Sequence, residues 1–161
     1  MIFWIDGDSC PKLVRDLIIR TAARLGSALK VVANRPLKLD PPGEMVLVGQ
    51  EEGAADAYIL QESQPGDLVV TRDIPLAARL VDRGILALND RGDIFTQDFV
   101  RERLSVRDFS LDLRLAGVYH PGKSHYGQKE YLAFARTWDK VLQKMTKSGS
   151  WEHSRLIPPV L

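Results

Sequence analysis

The strongest constraint on this chain is an alternation of short apolar runs with longer stretches of helical periodicity. The runs are Ile2–Ile5, Leu29–Ala33, Met45–Val48, Leu68–Thr71 and Ile85–Leu88, and each passes into polar residues. Unbroken apolarity is what a strand covered on both faces requires. Between the runs, Val14, Leu17, Ile18, Ala22 and Leu25 recur at helical spacing after Pro11 and stop at Gly26. Ala54–Glu62 reads as a second helix, and Pro75 opens a third that Gly84 ends. Pro36–Glu44, with three prolines and a glycine, reads as a loop. Beyond Thr96 the pattern is helical, with a break at His120-Pro121-Gly122 and a last helix over about Gln128–Met145. This predicts an α/β fold: a three-layer sandwich on a central, mostly parallel sheet of about five strands, with right-handed crossovers and an all-helical C-terminal part. Residues 1–147 are expected to form one domain and 148–161, which contain Pro158-Pro159, a tail.

Composition narrows the function class. Apolar residues make up 45% of the chain and charged residues 27%, which excludes a collagen-like or largely disordered chain. No apolar run approaches the roughly 20 residues that span a bilayer. The opening MIFWIDGD has no basic leader, so a cytoplasmic protein is expected. Lone Cys10 gives neither an internal disulfide nor a thiolate cluster. Residues 1–98 carry 11 Lys/Arg against 15 Asp/Glu, and residues 99–161 carry 11 against 6. A basic half beside an acidic one suits a polyanion held over a metal, and equally a solvated surface.

In a parallel sheet the strands all end on one side, and ligands bind outside those ends. The polar residues just past each run are Asp6 and Asp8, Asn34 and Arg35, Asp56, Arg72 and Asp73, then Asn89, Asp90 and Arg91. At least four aspartates therefore share an edge, where like charges repel by a few kcal/mol at an effective dielectric near 20. A divalent cation relieves that repulsion, and hard oxygen ligands suit Mg²⁺ or Mn²⁺. Without one, at least one carboxyl is expected to stay protonated. Each acid also has a plainer explanation. Asp8 and Asp73 sit where helix caps belong, and Asp56 lies in a first turn, where the helix dipole favours an acid. Asp6 follows a strand upstream of any cap. Asp67 begins the strand that Asp73 follows, six residues on and so roughly 20 Å away, and is excluded from the edge.

Other chemistries compete. Phe3-Trp4-Ile5-Asp6-Gly7-Asp8 has the strand–D-x-D form that resembles aspartate-nucleophile phosphatases of the haloacid dehalogenase type, in which Asp6 would attack phosphorus and Asp8 act as general acid. Thr71 and Lys123 would complete that set, but the later acidic pair it needs is not met by Asp67 and Asp73. Cys10 reads as a buried thiol rather than a nucleophile, because Asp6 and Asp8 oppose a thiolate. His120 and His125 read as loop residues. Neither common nucleotide-binding glycine loop is present.

Trp4-Ile5-Asp6-Gly7-Asp8-Ser9-Cys10-Pro11, Val32-Ala33-Asn34, Ala55-Asp56 and Gly66-Asp67-Leu68-Val69-Val70-Thr71-Arg72-Asp73-Ile74-Pro75-Leu76-Ala77 closely resemble the YaiI/YqxD family of uncharacterised bacterial proteins. Arg91-Gly92, Arg101-Glu102-Arg103-Leu104 and Arg107-Asp108 extend the likeness to about residues 1–145. The resemblance implies a PIN-like fold, related to nucleases that cut RNA with clustered acids and metal ions. It also marks a departure: the family's D-x-A-D string has its first Asp where this chain has Gly53, which puts a second metal site in doubt, with Glu51 and Glu52 nearby as substitutes. The expected function is a Mg²⁺- or Mn²⁺-dependent phosphodiesterase acting on RNA or another nucleic acid. Asp6, Asp56, Asp73 and Asp8 would hold the metal, and Arg35, Arg72 and Arg91 would pair with phosphate oxygens. Asn34, Thr71, Asn89 and Asp90 complete the edge. The alternatives are the phosphatase and a non-catalytic module that binds RNA or a protein.

Overall fold

The computed structural model describes residues 1–115 and 125–148, with side chains described at 1–106 and 125–146. The expectations for His120, Lys123 and residues 149–161 lie outside the described residues. Five strands, β1 (Ile2–Asp6), β2 (Ala28–Ala33), β3 (Gly43–Leu47), β4 (Leu68–Val70) and β5 (Leu86–Leu88), form one sheet in the order β3-β2-β1-β4-β5. Every pairing is parallel. The helices are α1 (Lys12–Leu25), α2 (Ala54–Glu62), α3 (Ile74–Asp82), α4 (Gln97–Leu115) and α5 (Gln128–Ser148).

Alternate residues of β1 build the two cores. Phe3 and Ile5 pack with Val14, Ile18 and Ala22 of α1 and with Phe134, Trp138 and Val141 of α5. Trp4 points the other way, into Ile59 of α2, Leu76 and Leu80 of α3 and Val100 of α4. These clusters make the outer layers of the sandwich, and both faces of the central strands are apolar for that reason. Trp138 meets Phe3 edge-on at 5.2 Å between centroids, and its Nε1–H donates to Thr21 Oγ1 at 3.1 Å, so its one polar atom is satisfied inside the core.

Two boundaries differ from the sequence reading. β3 begins at Gly43, inside the segment expected to be loop, because an edge strand half open to solvent carries no continuous apolar run. Pro11 is the residue before α1 rather than its first residue, and Lys12 begins the helix. Among the described residues no helix is long and apolar enough to cross a membrane.

The strand order positions the site. From β1 the chain moves outward through β2 to β3, then returns to pair β4 on the opposite side of β1. The order reverses between β1 and β4, and there the loops that leave the two strands diverge and open a crevice at the carboxyl ends.

Candidate active site

Asp6 is the last residue of β1 and stands at that reversal point, 6% exposed. Its Oδ2 accepts from Thr71 Oγ1 at 3.1 Å and from Ser9 Oγ at 3.3 Å. Burial raises its pKa; the two hydroxyls oppose the shift, and the charges of Asp8 and Asp73 add to it. Asp73 follows β4 and caps α3, where its Oδ1 accepts from Leu76 N at 2.7 Å. Its own N–H donates to Thr71 Oγ1 at 3.0 Å, so one threonine hydroxyl ties the ends of β1 and β4 together.

Asp56 lies in the first turn of α2, close enough to Asp73 and Asp6 for their charges to act on its carboxyl. Its pKa is pushed up to about 7, by burial first, then by the charges of Asp73 and Asp6 and by the neighbouring Asp73 carboxyl; Arg79 pulls the other way. Asp56 therefore keeps its proton to a higher pH than an ordinary aspartate does. Among the described residues no ion pair joins Asp6, Asp56 or Asp73 to a lysine or arginine.

The remaining predicted residues divide. Asp8 does not cap α1; its carboxylate accepts from Asn34 N at 3.2 and 3.3 Å and links the ends of β1 and β2. Gly7 permits this approach, because a Cβ there would stand 2.8 Å from Val31 Cγ1. A cleft of about 210 Å³ has Asp6, Asp8, Asn34 and Asp56 in its walls, with Glu51 and Glu52 at the loop before α2. A second cleft of about 400 Å³ opens on the other side of Asp6, between Ser9, Arg72, Asp73 and Ile74. Arg72 donates from Nε to Asp90 Oδ2 at 2.6 Å, and Nη2 pairs with the same oxygen. Asn89 accepts from the N–H groups of Arg91 and Asp93, both at 2.9 Å, and so shapes the turn after β5. Arg91 reaches the carbonyl of His125 at 3.4 Å and Glu130 at 4.0 Å. Arg35 is exposed beyond β2, and neither it nor Arg91 lines either cleft. Sequence reasoning misses Ser9 and Tyr126: Ser9 lies within the D-G-D-S string, whereas Tyr126, 36 residues from Asp90, has no local signal. Cys10 is buried, and burial pushes its thiol well up, against a nucleophilic role.

Among the described residues no group of three or more His, Cys, Asp or Glu side chains is drawn together as a ligand cage, so the four aspartates do not enclose an ion as arranged. Gly53, in the wall of the smaller cleft, has φ 78°, a left-handed conformation that disfavours side chains, and so brings no carboxylate there. The donor chemistry of the Asp56–Asp73 pair nevertheless fits a hard cation of the Mg²⁺ type, which keeps several waters and takes one or two carboxylates.

A sequence profile described as "Uncharacterized BCR, YaiI/YqxD family" matches residues 4–144. The chain is 44% identical over 149 residues to a UPF0178 protein of Treponema pallidum, covering 91% of this chain and 84% of the relative. It is 43% identical over 150 residues to a UPF0178 protein of Psychromonas ingrahamii (92% and 99%) and 40% identical over 149 to one of Syntrophobacter fumaroxidans (91% and 97%). No solved structure matches it. With a match that runs from the first strand through the last described helix, the chain belongs to the YaiI/YqxD family of uncharacterised bacterial proteins.

Proposed function

We propose that this chain is a Mg²⁺- or Mn²⁺-dependent phosphodiesterase acting on RNA or another nucleic acid, on a PIN-like version of the α/β sandwich. The observation that carries the proposal is the Asp56–Asp73 carboxyl pair beside buried Asp6, at the reversal of strand order, with no cationic side chain paired to it among the described residues. Carboxylates that serve only the fold are normally given donors or counter-charges. Asp6 and Asp73 have donors but no counter-charge, and with Asp56 they are kept close in spite of their repulsion. In this reading Asp56 and Asp73 hold the cation, Asp6 braces it from the strand end through Thr71, and Asp8 lies at the rim. When bound, such an ion stabilises the charge that gathers on an attacked phosphate and makes water a better nucleophile. The protein's own contribution is position: α2 and α3 present their first turns, and the sheet fixes Asp6.

The test compares wild type with Asp6→Asn on labelled RNA in Mn²⁺. The wild type is expected to cleave and the variant to be slower by roughly a hundredfold or more; equal rates overturn the role. The Thr71 hydroxyl on Asp6 favours the phosphatase reading, and trapping of Asp6 by beryllofluoride would establish that reading instead. Retained RNA binding without metal binding in calorimetry would point to a non-catalytic module.

A further inference from the structure

The two clefts that share Asp6 differ in charge. The smaller has only acids among its charged wall residues, whereas the larger sets Arg72 against Asp6 and Asp73. An arginine on a surface loop ordinarily samples many rotamers, and gripping a ligand then costs the entropy of stopping it. Arg72 is stopped already. Its Nε and Nη2 both bond Asp90 Oδ2, and its guanidinium lies 5.8 Å from the centre of the Tyr126 ring. The Asp90 side chain is 3% exposed while that of Arg72 is 45% exposed. The backbone carbonyl of Asp90 accepts from Tyr126 Oη at 2.6 Å. A pair with one partner half in water adds little to stability, yet it requires a carboxylate to be buried. What it secures is the direction of the guanidinium, with Nη1 left outside the pair.

We propose that Arg72 is the phosphate-gripping side chain of the larger cleft, and that Asp90 and Tyr126 are positioning residues that aim it, which makes the segment just ahead of α5 a working part of the site. The inference rests on the nuclease reading for its substrate class, a phosphodiester whose non-bridging oxygens accept charge-assisted hydrogen bonds from a pre-set guanidinium. It goes further in giving that role to one arginine of the edge, since Arg35 lines neither cleft and Arg91 is directed toward His125 and Glu130.

The experiment uses the full chain in Mg²⁺ and measures fluorescence anisotropy with a labelled single-stranded RNA whose phosphorothioate linkages resist hydrolysis. Arg72→Lys, which keeps the charge and loses the fork, is expected to raise Kd about tenfold. Asp90→Asn and Tyr126→Phe should raise it in the same direction, Tyr126→Phe least. Neither should add a further loss in the Arg72→Lys background, because residues acting through one another are not additive. Wild-type affinity in both Asp90→Asn and Tyr126→Phe, or losses that add to that of Arg72→Lys, would overturn the proposal. Tyr126→Phe removes a single oxygen and keeps the test available if Asp90→Asn does not fold. A wild type that binds no RNA also overturns it. A wild type that binds through Arg72 but leaves unmodified RNA intact in Mn²⁺ overturns the nuclease reading and supports this one.

Discussion

Two buried aspartates mark the two ends of the same sheet, and they are treated in opposite ways. Asp67, at the amino end of β4, is 7% exposed and takes three N–H bonds: from Ile2 N at 2.9 Å, Trp4 Nε1 at 3.1 Å and Gln64 N at 3.0 Å. Asp6, at the carboxyl end of β1, is equally buried but takes two hydroxyls, and its carboxylate neighbours are charged like itself. Asp67 is provided with donors from the strand and the turn around it, as a residue serving the fold would be. At the other end Asp6 is given hydroxyl donors alone, with the like charges of Asp8 and Asp73 beside it, and that difference is what the proposed site rests on. Sequence distance alone placed Asp67 away from the edge, and the structure gives the reason it is present at all.

The comparison breaks first, and with the largest effect, at Asp67. Asp67→Ala leaves the indole N–H of Trp4 and the backbone N–H groups of Ile2 and Gln64 without their acceptor. The expected loss is about 3 kcal/mol, read in thermal unfolding as a fall of roughly 10 °C for a chain of this size. A melting temperature unchanged by the substitution would mean that water replaces the carboxylate at no cost, and the contrast between the two ends would lose its basis.

A smaller effect of opposite sign is expected at Asp56. Below its ordinary value of 3.8 the carboxyl is protonated in both folded and unfolded chains, and the raised folded pKa costs nothing. As pH climbs to about 7 the folded state resists giving up a proton that the unfolded state has already released, so stability falls across that window. Asp56→Asn removes the titration. It should be more stable than wild type at pH 8 by roughly 1 kcal/mol, a figure reduced for solvent screening of a half-buried group, with a flatter stability profile between pH 4 and 7. Denaturant melts across that range check it. Parallel profiles for the two proteins would show that Asp56 is not strained by Asp73 and Asp6, and would remove the electrostatic argument for a site.

How much of this was legible follows the range of each interaction. The sandwich could be read because doubly covered strands are continuous apolar runs, and Asp6 and Asp73 because they follow directly from such runs. β3 was misplaced at its start because its residues are only partly buried, so its sequence carries the loop's prolines and glycine into the strand. The Asp56–Asp73 contact needed α2 to lie beside α3, a tertiary fact with no local trace. The same holds for Arg72 with Asp90, and for Asp67 with Ile2 and Trp4, 65 and 63 residues away. The sequence told which acids reach the edge; which of them face one another is decided by helix packing.

The finest distinction between the two ends lies in the kind of donor. Asp67 is held by N–H groups fixed in the backbone or in a packed indole, whereas Asp6 is held by hydroxyls, one of which, Ser9 Oγ, stands at 3.3 Å on a partly exposed turn in the wall of the larger cleft. A long bond of that kind is worth little net, because water replaces it when the serine turns away. Ser9→Ala should therefore lower stability by about 0.5 kcal/mol or less, near the limit of a denaturant melt. Its larger consequence is electrostatic. Removing a donor that stabilises the ionised form raises the pKa of Asp6 further, so, if the chain cleaves RNA as proposed, the acid limb of its pH–rate profile should move toward higher pH while the plateau is kept. A stability loss comparable to that of Asp67→Ala would place Ser9 among the fixed donors of the fold, and the carboxyl end of the sheet would then be as complete as the amino end.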